Sequence, residues 1–208
     1  MRPGLVITIL AGLMLIAACG DPAANKPKAV TGQAAQVSSP TAAGQKYLIT
    51  TQNSKIEWVA SQVTGSHNGS FQNFSGEVDY AGAPEKSRVS VSIDSSSIQA
   101  DDPKLTAHLK TPDFFDVAKF PKATFVSTEI KPGGESGATH TVTGNLTMHG
   151  VTKAVTFPAT IAVTADTASV DANFSVNRKD FGINYQGPAD NIIRDQVVLK
   201  LTIRAKKG

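Results

Sequence analysis

Apolar and polar residues alternate with a period of two over most of the chain beyond residue 46. Val89, Val91 and Ile93 alternate with Ser90, Ser92 and Asp94, and Val142, Leu146 and Met148 share a phase opposite Thr141, Thr143, Asn145 and Thr147. Val155, Phe157, Ala159, Ile161 and Val163 form a longer set. Val170, Ala172, Phe174 and Val176 form another, as do Val197, Leu199, Leu201 and Ile203 near the C-terminus. This pattern predicts antiparallel strands with one apolar and one wet face. Further strands are expected at Tyr47–Thr51, Ile56–Val63, Ser75–Tyr80 and Thr124–Ile130. Helix is scarce. Asp102-Pro103 joins an N-cap to a proline at the first helical position and predicts a short helix through Leu109. Thr111-Pro112-Asp113 repeats the signal and predicts another turn through Phe114 and Phe115. His149-Gly150 falls between two strands, where a hairpin needs positive φ.

About eight short strands with apolar residues on one phase must close or stack to bury that face. The expected fold is therefore all-β, an antiparallel barrel of about eight strands, with one or two short helices in the Ile93–Thr124 connection. Its apolar phase is rich in Val, Ala and Leu, which suits a hollow interior and a packed one equally.

The first 45 residues lack this alternation. Arg2, the apolar run Leu5–Leu15 and Ile16-Ala17-Ala18-Cys19 read as a lipoprotein signal peptide over residues 1–18. The apolar run is too short to span a bilayer, which takes about 20 residues. Cleavage before Cys19 would leave that residue as the lipid-bearing N-terminus, facing the periplasm at the bacterial envelope. An ordinary secretory signal that happens to contain a cysteine is the alternative. Cys19 is the single cysteine of the chain, so no disulfide is expected. Gly20–Gln45, without an aromatic residue, reads as a flexible tether with a root-mean-square reach of roughly 28 Å. Residues 46–208 are long enough for one domain with a real core.

Charge and motif content narrow the function classes. The formal net charge is +3, scattered rather than gathered in a basic stripe, which does not suit nucleic-acid binding. The four histidines have no zinc-ligand spacing, so neither metal nor cofactor is expected. No Gly-x-Ser-x-Gly elbow occurs. Asp113 and Asp116 could do acid–base work or merely solvate a helix start. His67, between glycines in a turn or bulged strand, is either a ligand contact or a turn histidine bonded to nearby backbone. Phe114 and Phe115 either plug the core or wall an apolar cavity. Arg178 with Asp180 is expected to close the barrel's end by an ion pair.

Several segments taken in order resemble the YceI-like polyisoprenoid-binding family across Tyr47–Lys206. They include Phe71-Gln-Asn-Phe-Ser-Gly76, Lys104-Leu-Thr-Ala-His-Leu-Lys110, Pro112-Asp-Phe-Phe-Asp-Val117 and Phe120-Pro121. Thr124-Phe125, Val142-Thr-Gly-Asn-Leu-Thr147, His149-Gly-Val-Thr-Lys153 and Asn177-Arg-Lys-Asp-Phe-Gly-Ile183 complete the set. The chain departs from a common family opening, with Thr50, Asn53 and Gln62 where many members carry Asp, His and His, while Ser54 is kept. The resemblance implies a lipocalin-like barrel whose elongated cavity holds a polyisoprenoid, a quinone or a similar amphiphile. The expected lining is Val91, Leu146, Phe157, Phe174 and Leu199, with Phe71, Phe74, Phe114 and Phe115 near an end and His67 at the head group. The expected role is non-enzymatic storage or transfer of the lipid. Two rivals remain: an enzyme using His67, Asp113 and Asp116 on such a lipid, and a packed barrel serving as a partner-binding module.

Overall fold

The computed structural model describes residues 20–37 and 44–208. The expected signal peptide, residues 1–18, and Cys19 lie outside the described residues. Among the described residues twelve strands form one antiparallel sheet. In the N-terminal half they are β1 (Val30–Gln33), β2 (Gln45–Thr50), β3 (Lys55–Gln62), β4 (Gly65–Phe71), β5 (Phe74–Tyr80), β6 (Arg88–Asp94) and β7 (Ile98–Ala100). Beyond the α-helix α1 (Pro103–Leu109) come β8 (Lys122–Pro132), β9 (His140–Met148), β10 (Val151–Val163), β11 (Thr167–Asn177) and β12 (Gln196–Lys207).

The registers close this sheet on itself. Strand β12 pairs along one edge with β2, at Lys206 opposite Leu48, and with β3, at Leu199 opposite Trp58. Strands β2 and β3 therefore lie end to end as one bent stave. Strands β4 and β5 continue one another in the same way, since β4 pairs with β3 and β5 with β2. Strands β6 and β7 form the third stave, paired with β5 and β4. Strands β8, β9, β10, β11 and β12 complete the circuit of eight staves, each paired with the next. Full closure removes the exposed edges that an open antiparallel sheet would carry.

Local signals hold where the side chain itself sets the geometry. Asp102 Oδ1 accepts from the backbone N–H groups of Lys104 at 2.6 Å and Leu105 at 3.0 Å, capping α1. His149 and Gly150 both have positive φ, 51° and 75°, in the two-residue turn between β9 and β10. The second helical signal does not become a helix. The Phe115 N–H turns back to the Leu109 carbonyl, and Asp116 takes φ 43°, so residues 111–120 are a chain of turns.

The tether expectation needs correction for the part described. Val30–Gln33 pairs antiparallel with Lys153–Thr156 of β10. The Ala29 N–H donates to the Ser175 carbonyl and the Ser175 N–H to the Pro27 carbonyl, both at 2.8 Å. Composition shows little tendency to fold in this stretch, but β10 and β11 offer it unpaired backbone, and buried or half-buried backbone groups must find partners.

Candidate functional site

The interior is hollow. A cavity of about 210 Å³ runs inside the barrel, lined by apolar side chains from staves all round the circuit. For comparison, an apolar cavity of about 150 Å³ is large enough to stay dry and take up benzene. Val91, Leu146, Leu199 and Leu201 point inward yet keep part of their surface accessible. A packed barrel would have left them fully buried. The even choice that periodicity left between a hollow and a packed interior is thus resolved in favour of a cavity.

Of the ten residues expected at the ligand, eight line this cavity: Phe71, Val91, Phe114, Phe115, Leu146, Phe157, Phe174 and Leu199. Phe74 is buried in the adjoining core but outside the lining. His67 is elsewhere. It projects from β4, where its Nδ1 lies 2.7 Å from Asp101 Oδ1, with both side chains more than a third exposed. Its register partner Ala60, on the same face of the sheet, lines the cavity, but the imidazole lies beyond that lining toward the β3–β4 turn, held by Asp101.

Trp58 is a lining residue that the motif reading passed over. Its signal was present, since Ile56, Trp58 and Ala60 alternate along β3 and all three face the cavity. Gly69 stands opposite Trp58 on β4, and a Cβ there would overlap the indole ring. The absence of a side chain at residue 69 is what lets the ring lie against the sheet. The indole N–H is buried with no hydrogen-bond partner among the described residues. An unmet donor of this kind costs about 1–3 kcal/mol.

One end of the barrel, the mouth, is covered by α1, the turns at 111–120 and the segment 183–195. Aromatic edges interlock there: His108 meets Phe114 and Tyr185 with ring centroids 5.0 Å apart in each case, and Phe114 meets Tyr185 at 5.2 Å. Phe71 and Phe115 meet edge to face at 5.9 Å. His108 Nε2 is 2.8 Å from Asp113 Oδ2 on the exposed side of this cluster.

Arg178 is the single charged residue among the cavity liners, and its side chain is 5% exposed. Its Nη1 donates to the Ile183 carbonyl at 2.7 Å, its Nε to the Arg194 carbonyl at 3.2 Å and its Nη2 to the Ile193 carbonyl at 3.3 Å. These bonds clamp segment 183–195 across the mouth. The expected pairing with Asp180 is not formed. Arg178 turns instead toward Asp195, at 3.5 Å, while Asp180 accepts from the Thr31 hydroxyl at 2.7 Å. Burial lowers the pKa of the Arg178 guanidinium, and the negative charge of Asp195 opposes that shift.

The acid–base candidates do not converge. His67 pairs with Asp101 and His108 with Asp113, both partly exposed and outside the cavity lining, and Asp116 shapes a turn. Asp101 is held below the usual carboxylate range by the Asn68 N–H, with His67 adding to the effect. A carboxylate depressed in the folded state stabilises above its ordinary pKa, and that contribution is lost as pH falls through the depressed value. Melting temperature followed against pH should accordingly fall on the acid side in the wild type, with a flatter acid limb in Asp101→Asn. Superimposable limbs would remove Asp101 from the acid lability.

A closed antiparallel barrel of eight staves around an apolar cavity belongs with the small-ligand barrels. The chain belongs to the YceI-like domain family, which matches residues 47–205. A UPF0312 protein of Pseudomonas fluorescens (strain SBW25) is 37% identical over 150 residues, 68% of this chain and 77% of the relative. Among solved structures, BcnA of Burkholderia cenocepacia is 28% identical, with a TM-score of 0.67 over 76% of this chain and 99% of that one. A polyisoprenoid binding domain from Saccharophagus degradans shares the fold at 16% identity, with a TM-score of 0.62 over 79% of this chain and 99% of that one.

Proposed function

We propose that this protein binds an isoprenoid-type lipid or quinone inside its barrel and stores or transfers it at the bacterial cell envelope, without chemistry. The observation that carries this reading is the apolar cavity inside the barrel, whose one charged liner has its bonded donors on backbone carbonyls and Asp195. Such a lining recognises a hydrocarbon by burial alone, at about 25 cal/mol per Å² of apolar surface, less the cost of ordering the chain. His67 and Asp113 both lie outside the cavity lining, each partly exposed and bonded to a neighbour, which weighs against an enzyme working in the cavity. The Saccharophagus degradans domain, described as polyisoprenoid binding, supports the ligand class by its fold. The lipobox ending in Cys19 supports a membrane-anchored, periplasm-facing protein.

Mass spectrometry tests both parts. An organic extract of the full chain with Cys19→Ser, exported to a bacterial periplasm and purified without detergent, should contain a stoichiometric prenyl lipid or quinone. The unsubstituted chain, digested in parallel, should yield an N-terminal peptide with acyl groups on Cys19. An extract at background level would remove the lipid, and an unmodified thiol would remove the anchor.

A further inference from the structure

The barrel is covered at both ends. Arg178 clamps the mouth. At the far end the Tyr47 hydroxyl donates to the Thr164 carbonyl at 2.8 Å, and the Tyr47 ring meets Tyr80 edge to face. A ligand as long as a prenyl chain still has to enter. The wall itself holds the discontinuity.

Strands β10 and β11 pair with each other only from Thr160 to Val163, against Ala168–Asp171. Toward the mouth they part, although β10 stays paired to β9 from Val151 to Ala159 and β11 to β12 along its full length. Residues 27–33 fill the fork. They pair antiparallel with Lys153–Thr156 on one side and meet Ser175 in parallel on the other. Pro158 sits between the β1-paired and β11-paired stretches of β10, where a residue without an N–H leaves no donor unmet. Behind this segment, Val155, Phe157, Phe174 and Val176 line the cavity. Phe157 and Phe174 stack across the fork with centroids 4.2 Å apart.

The inserted segment is also weakly held. Val30 is 69% exposed, and Gly32 and Gln33 are exposed as well. It is retained by edge backbone bonds, by one small apolar side chain, Ala29, packed on the core, by Thr31 on Asp180, and by Asn145, whose side chain accepts from the Ala35 N–H and donates to the Ala35 carbonyl. The fit beneath it is imperfect, since Ser175 Oγ is buried without a partner. Elements that bury few apolar side chains and rely on solvent-accessible backbone bonds open at the lowest free energy.

We propose that residues 27–33 are a removable stave and that the fork between β10 and β11 is the port through which the apolar ligand enters and leaves. This rests on the lipid-binding reading above. Withdrawal of the stave opens a lateral slit directly over the Phe157–Phe174 pair, so a chain can slide in sideways while the mouth clamp stays closed.

A disulfide lock tests the port. Gly32 and Ala154 are directly paired in register, and a Cβ at Gly32 meets nothing within 4 Å. Directly opposed residues of an antiparallel pair are about 4.5–5.5 Å apart at Cα, within disulfide reach. In the full chain with Cys19→Ser, the Gly32→Cys and Ala154→Cys pair supplies the only thiols. Stopped-flow fluorescence with a dansyl-labelled farnesyl probe should show association and dissociation both slowed at least about tenfold in the oxidised form. Affinity should be unchanged and both rates restored by reduction. The comparison lock, Gln62→Cys with Ile193→Cys across the mouth bridge, should give equal rates in its oxidised and reduced forms. Loosening by Asn145→Ala should raise both rates severalfold. Equal rates in the oxidised and reduced stave-locked protein, or slowing by the mouth lock alone, would overturn the port. Failure of the unlocked protein to bind the probe would instead overturn the lipid reading on which the port depends.

Discussion

Val91→Trp and Leu199→Trp, made one at a time, will each weaken binding of a prenyl lipid by about a hundredfold and leave the barrel folded. Both side chains point into the cavity and retain accessible surface there. An indole at either position takes space the ligand would occupy. Displacing about 120 Å² of ligand contact at about 25 cal/mol per Å² loses about 3 kcal/mol, or two orders of magnitude in affinity. Stability should hold or rise, because the new ring gains contacts in a space that lacks them when ligand is absent. Overpacking normally costs about 1–3 kcal/mol, so an unchanged melting temperature would itself report the hollow interior. Leu48→Trp is the control, since Leu48 is 49% exposed on the outer face. Isothermal titration with the lipid identified from the extract gives the affinities. Wild-type binding by both cavity variants would place the ligand elsewhere.

Arg178→Ala should cost about 3–5 kcal/mol of folding stability. Three carbonyls, those of Ile183, Ile193 and Arg194, lose a charged donor in a site closed to water. The removed side chain also leaves a void. Arg178→Lys should recover only a fraction, because an ammonium on a single stem cannot reproduce a planar fork that reaches three acceptors. Urea denaturation measures the loss, and hydrogen exchange locates it, with early deprotection expected over residues 183–195. A loss below about 1 kcal/mol would show that the mouth is held by its apolar contacts instead.

The two predictions depend on different parts of the amino-acid pattern. The cavity wall was largely legible in the sequence because inward and outward positions alternate within each strand, and this period is local. Phe157, Phe174 and Leu199 fall on the cavity side for that reason. The Asp102-Pro103 helix start and the His149-Gly150 turn were legible as well, since a cap or a positive φ is satisfied within a few residues. The short polar strand β4, Gly65–Phe71, carried no apolar alternation beyond its terminal Phe71. It is extended because β3 and β7 supply partners on both edges. His67 missed the expected ligand site although its register with Ala60 puts it on the cavity face, because Asp101, from beyond β7, holds the imidazole outside the lining.

The sequence by itself determined the number and phase of most strands, the helix start, the β9–β10 hairpin and the apolar character of the interior. Each depends on side-chain period or on the φ preference of a few adjacent residues. Tertiary structure alone decided three further matters. It made the interior hollow, because void volume depends on barrel radius as well as lining size. It paired Arg178 with the 183–195 carbonyls and Asp195 rather than with Asp180, because those acceptors arrive only when β12 closes the barrel. It also turned part of an apparent tether into a stave, because backbone hydrogen bonds do not depend on side-chain pattern and the parted edges of β10 and β11 had no other partner.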